Sequence, residues 1–117
     1  MDLEKTKEFY TKYFGGSAGE MYFNPRKRFS SYMLSFKEGA KLEIMSLPDI
    51  VEQNLKNGRT GFVHISFSVG SREEVDRYAS MLSEEGFPIL DGPRVTGDGF
   101  YECQTCDPEG NVIEITI

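Results

Sequence analysis

Three side chains of this sequence have the types that could jointly hold a cation: Glu43, His64 and Glu114. Glu43 lies in Lys41-Leu42-Glu43-Ile44-Met45 and Glu114 in Val112-Ile113-Glu114-Ile115-Thr116, one pattern written twice, 71 residues apart. In each, a carboxylate interrupts a short apolar run that follows a Gly-containing turn, Lys37-Glu38-Gly39 or Pro108-Glu109-Gly110. His64 is the only histidine in the chain. Taken singly, a glutamate on a strand is ordinarily a solvent-facing residue and a histidine a hydrogen-bonded structural one. Their conjunction points further. Imidazole and carboxylates together suit Zn, Ni, Fe, Co or Mn, and open positions on such a centre can polarise a substrate oxygen.

Strands must present these groups. Side chains alternate between the two faces of a strand, so Leu42 and Ile44 oppose Glu43. By the same rule Val63, Ile65 and Phe67 oppose His64, and Ile113, Ile115 and Ile117 oppose Glu114. Each apolar face needs a cover, and the sequence supplies two amphipathic helices. Asp2 caps a helix with Leu3, Thr6, Phe9, Tyr10, Tyr13 and Phe14 on one face, ending at Gly15. Ser71 and Glu74 form a capping box at the head of a helix over residues 72–85, with Val75, Tyr78, Ala79 and Leu82 as its buried stripe. Residues 20–24 and 29–36 read as strands, 87–90 as a brief strand, 94–99 as a polar turn and 48–56 as a short helix begun by Pro48. The order αβββ, connector, βαβββ predicts an α+β fold of two βαβββ modules related by a pseudo-twofold. Module one covers about 1–47, the connector 48–60 and module two 61–117, all in a single domain. Symmetry also predicts a further strand of about eight residues before the first helix, carrying a counterpart of His64.

Composition narrows the partners. Thirteen Lys plus Arg against nineteen Asp plus Glu give a net charge of −6 without a long basic run, which argues against nucleic acid and anionic membranes. The apolar runs are strand-sized, far below the ~20 residues that span a bilayer. With a helix opening at residue 2 no signal peptide is expected, so the expected location is cytoplasmic. Cys103 and Cys106 form a C-x-x-C within a strand-like run, where residues three apart face opposite ways. They are read as two ordinary reduced cysteines rather than as a redox pair or a zinc knuckle.

The segment from Asp2 to Tyr10 with Phe14-Gly15, the His64 strand, and Asp107-Pro108-Glu109-Gly110-Asn111-Val112-Ile113-Glu114 resemble the vicinal oxygen chelate (glyoxalase/bleomycin resistance/dioxygenase) superfamily. Within it, the chain is most similar to small bacterial glyoxalase I (lactoylglutathione lyase) relatives. That resemblance implies a divalent metal (Zn, Ni, Co, Mn or Fe) held by Glu43, His64 and Glu114, with a fourth ligand on a first strand that has no counterpart here. It further implies isomerisation of the hemithioacetal of a small 2-oxoaldehyde and a low-molecular-weight thiol through an enediolate. Glu114 is the expected proton carrier and Glu43 the second choice. A homodimer acting on a small-molecule substrate is implied as well. Other members set the alternatives: a metal-free drug-binding protein of bleomycin-resistance type, a dioxygenase, or a thiol transferase. Keeping Glu43, His64 and Glu114 argues against the metal-free alternative, since unpaired carboxylates are costly to bury.

Overall fold

The structure, a computed structural model, describes residues 2–49 and 62–117. The chain divides into two compact units, Met1–Gly58 and Arg59–Ile117. Of the connector helix expected over 48–56, only Pro48 and Asp49 are described, in a turn, and the remainder lies outside the described residues. No helix among the described residues is long and apolar enough to cross a membrane.

In the first unit, helix α1 (Leu3–Phe14) starts where the Asp2 carboxylate accepts the Lys5 N–H at 3.2 Å. It stops at Gly15, whose φ of 66° is left-handed and therefore suited to glycine. Thr6, Phe9, Tyr10 and Tyr13 are its buried stripe. The sheet beside it is built on β3 (Phe29–Ser35), which pairs antiparallel with β4 (Lys41–Ser46) on one side. On its other side β3 pairs with β1 (Ser17–Ala18) and β2 (Tyr22–Asn24). Ala18 lies opposite Leu34 and Tyr22 opposite Ser31. Four steps thus face three, so the single strand expected over 20–24 is a longer edge strand broken by a bulge. Tyr32, Leu34 and Ile44 are the buried residues of the α1 side.

The second unit is β5 (Ile65–Ser68), α2 (Arg72–Glu84), β6 (Asp91–Val95), β7 (Tyr101–Cys106) and β8 (Val112–Thr116), a βαβββ module with strand order β5-β8-β7-β6. β5 runs parallel to β8, and the other pairs are antiparallel. Ser71 caps α2 by accepting the Glu74 N–H at 3.2 Å. Val75 and Leu82 from the helix and Ile113 and Ile115 from β8 are 0% exposed. Burying each is worth about 1.5–3 kcal/mol relative to an exposed position. Among the described residues the first unit has the same plan short of one strand. β8 has β5 along its outer edge, whereas among the described residues β4 pairs only with β3.

Several expectations need correction. Residues 87–90 form no strand. They run beside β7, where the Leu90 N–H donates to the Gln104 carbonyl at 2.7 Å, and the strand proper begins at Asp91. Arg94 and Val95, expected in a turn, belong to β6. Strand β5 starts at Ile65 because pairing with β8 begins at Ile65–Ile113, so His64 stands one residue before it. The apolar face of the His64 strand is not fully covered either. Helix α2 packs over β6, β7 and β8, leaving Ile65 38% and Val63 77% exposed on the edge, and Ile117 at 37% lies beyond β8.

Candidate functional site

The site is carried by the sheet face of the second unit that turns away from α2. Two adjoining strands deliver its centre. Glu114 on β8 lies directly opposite Ser66 on β5, with Gln104 of β7 opposite on its other side. Ser66 Oγ donates to Glu114 Oε1 at 2.8 Å, while His64 Nε2 stands 3.4 Å from Oε2. One carboxylate oxygen is therefore held by a hydroxyl and the other faces an imidazole. The Glu114 side chain is 14% exposed and that of His64 33%, so the pair is sheltered yet reachable from solvent. The turn before β8 explains why Glu114 arrives there. Asp107 is 3% exposed, and its Oδ1 accepts the N–H groups of Glu109 and Asn111, each at 2.9 Å. Its Oδ2 accepts Asn111 Nδ2, also at 2.9 Å, and Gly110 takes a φ of 82°. The aspartate of D-P-E-G is thus a turn-builder that sets the start of β8.

The polar face continues over β7 and β6, where the sequence reading named no ligand. Glu102 is buried, at 8% exposure, beside Glu114 on the same face, and the two carboxyl groups interact. Burial first, then the charge of Glu114, holds the Glu102 carboxyl above the usual carboxylate range. Arg94 Nη2 stands 3.9 Å from Glu102 Oε1. Arg94 is in turn clasped by Asp91, with Nε and Nη2 at 2.7 and 2.5 Å from Oδ2. This contact keeps the Asp91 carboxyl below its ordinary range. The hydroxyl oxygen of Thr116, the register partner of Glu102, is buried without a hydrogen-bond partner among the described residues. Glu102 was legible as a strand residue. That it shares a face with Glu114 depends on the β7–β8 register, which periodicity alone does not set.

Of the three residues picked from the sequence, the structure brings together His64 and Glu114. Glu43 belongs to the first unit. There it is exposed on β4, opposite Met33 and away from the α1 side that buries Ile44. Among the described residues no group of three or more His, Cys, Asp or Glu is assembled closely enough to hold a metal ion. What the second unit supplies is two adjacent donors, an imidazole nitrogen and a carboxylate oxygen, whose chemistry suits a borderline divalent cation. The two cysteines are free and divided between the faces. Cys103 pairs with Ile115 on the α2 side, where burial pushes its thiol up to about 11, and Cys106 pairs with Val112 on the site side.

A module of this topology with an acid on its last strand and an imidazole beside it defines a class, and comparison with known proteins identifies that class. The model of the Glyoxalase/Bleomycin resistance protein/Dioxygenase superfamily matches residues 1–115, and the chain belongs to this family. Its fold is shared with a glyoxalase family protein from Enterococcus faecalis, at a TM-score of 0.81 and 24% identity over 99% of this chain and 89% of that one. Glyoxalase I from Zea mays superposes with a TM-score of 0.78 and 21% identity, over 98% of this chain and 40% of the maize chain. The trypanothione-dependent glyoxalase I of Leishmania major gives 0.75 and 19%, covering 98% and 78%. No curated protein matches the sequence.

Proposed function

We propose that the chain is a metal-dependent, glyoxalase I-like lyase. It would isomerise the hemithioacetal of a small 2-oxoaldehyde and a low-molecular-weight thiol. The observation that carries this reading is the His64–Glu114 pair, with 3.4 Å between Nε2 and Oε2, in a chain of this superfamily. His64 and Glu114 would hold a divalent cation (Zn, Ni, Co, Mn or Fe), and the resemblance to the family implies Glu43 as a third ligand. When bound, that cation would supply Lewis-acid polarisation of two adjacent substrate oxygens. Glu114 is the proton carrier. Ser66 engages Oε1, so Oε2, the oxygen that faces His64, would take the proton from the carbon bearing sulfur and return it to the neighbouring carbon. The carbon proton is returned one carbon along, and the hydroxyl proton passes from the oxygen of the sulfur-bearing carbon to the neighbouring oxygen, so the net change is an isomerisation that consumes no redox partner. Glu43 is the second choice for this role. A homodimer acting on a small molecule in the cytoplasm completes the reading.

The test combines metal content by mass spectrometry with turnover of methylglyoxal and a panel of small thiols. About one divalent metal per chain and a thiol-dependent turnover are expected. His64→Ala and Glu114→Gln should each lower both metal content and turnover by at least tenfold, in the range of lost ligands and lost general bases. A wild-type protein that binds no divalent metal would sink the lyase reading. The metal-free binding protein would then take its place.

A further inference from the structure

One polar ladder crosses all four strands of the second sheet. Asp91 and Arg94 stand on β6, Glu102 on β7, Glu114 on β8, and Ser66 with His64 on and beside β5. Its β6 end exists because of a bulge. Residues three apart on a regular strand face opposite ways. Here Asp91 lies opposite Gln104 and Arg94 opposite Glu102, three steps against two, so both side chains reach the site face. Gly92 makes this possible. Its φ is 77°, and a Cβ there would fall 2.5 Å from the Glu102 carbonyl oxygen. The bulge is thus pressed against the very residue that Arg94 addresses.

We propose that Arg94 is a positioning residue, which through Glu102 sets where the Glu114 carboxylate points and so how it meets His64. Two neighbouring carboxylates on a sheltered face repel, and this is opposed by a proton shared between them or by a cation on the far side of one of them. Arg94 supplies a charge that it cannot lose, on a planar fork whose Nε and Nη2 are fixed by Asp91 while Nη2 also stands 3.9 Å from Glu102 Oε1. Asp98 adds a further negative charge within electrostatic reach of the guanidinium. The alternative is that Arg94 is one more exposed ion pair of little consequence, as most are. The inference concerns the geometry of the metal-free chain, and it rests on the proposed lyase reading only for its effect on cation binding.

Because His64 is the only histidine, its imidazole gives one unambiguous set of NMR signals. Arg94→Gln and Arg94→Lys are compared with Arg77→Gln. Arg77 pairs with Glu74 on the exposed surface of α2, so its loss is the same change of charge away from the site. In metal-free protein held about two pH units above the ordinary imidazole value of ~6.5, Arg94→Gln is expected to move the His64 signals and Arg77→Gln to leave them in place. Unmoved signals in Arg94→Gln would overturn the proposal. Should Arg94→Gln not fold, Arg94→Lys decides the matter. It keeps the charge but not the fork, so partly displaced signals are expected, and wild-type signals would overturn it. The second readout is the Kd for Co2+. Losing a nearby positive charge would by itself tighten cation binding, whereas losing the aim of Glu114 weakens it. Weakening of about tenfold or more is expected, the size usual for groups that orient a ligand, with part of it recovered in Arg94→Lys. Unchanged or tighter binding refutes the positioning role. If wild type binds no Co2+ at all, the lyase reading fails, and the metal-free NMR comparison still decides the role of Arg94.

Discussion

Gly92→Ala should be among the most damaging single-methyl additions in the second unit, and its cost can be separated into parts. The new Cβ would lie 2.5 Å from the Glu102 carbonyl oxygen and 3.1 Å from both the Arg94 nitrogen and the Cys103 Cα, all backbone atoms that cannot turn aside. Non-glycine residues at positive φ cost roughly 1–2 kcal/mol, and overpacking against fixed neighbours adds roughly 1–3 kcal/mol. Together these give about 2–5 kcal/mol. Two other glycines of the same hairpin serve as references. Gly99 has a φ of 95° with nothing within 4 Å of its Cβ position, so Gly99→Ala isolates the backbone part at about 1–2 kcal/mol. Gly97 has neither a positive φ nor a neighbour within 4 Å, so Gly97→Ala should lie within about 0.5 kcal/mol of wild type. Urea unfolding of the three variants reads the series directly, with unchanged m-values showing that the same surface is exposed each time. In Tm the full penalty corresponds to a fall on the order of 10 °C or more. A Gly92→Ala protein no less stable than Gly99→Ala would refute the claim that the bulge is pressed against β7.

Asp107→Ala should cost about 2–4 kcal/mol in urea unfolding, because it leaves two N–H groups and an amide without their buried charged acceptor. A loss below 1 kcal/mol would show that the turn before β8 is held by something else. Glu102 gives a pH signature. Its carboxyl is held above the ordinary range by burial and by the charge of Glu114, so the folded chain binds that proton more tightly than the unfolded chain. This contribution is complete below the usual glutamate value of about 4.3 and fades as pH rises through the folded value. Glu102→Gln has no such proton to lose. Its stability relative to wild type should therefore rise between about pH 4 and pH 7, as followed by urea melts across that window, and a flat or falling difference would reverse the assignment.

What the sequence determined by itself is what nearest neighbours along the chain decide. Both helices are written in their caps and in a 3.6-residue stripe, and α1 and α2 begin and end within a residue of the expected positions. The strands carrying Glu43 and Glu114 show in two-residue alternation, and their repetition 71 residues apart exposes the modular plan. The division of Cys103 and Cys106 between two faces follows from the same parity. Beyond these, only the tertiary structure could decide. Whether Ile65 is covered depends on where α2 rests, and it rests over β6, β7 and β8, away from the edge strand. Whether Glu102 neighbours Glu114 depends on the register of β7 against β8, which no single strand encodes. Asp91-Gly92-Pro93-Arg94 holds glycine and proline, which read as a break, and yet it forms an edge strand. Such an edge tolerates a bulge because one side of it has no ladder to interrupt. That extra residue brings Arg94 onto the face of Glu102 and Glu114. Alternation is local and can be read from the chain, whereas register and bulge are settled between strands, where pairing and close approach replace sequence spacing as the controlling distance.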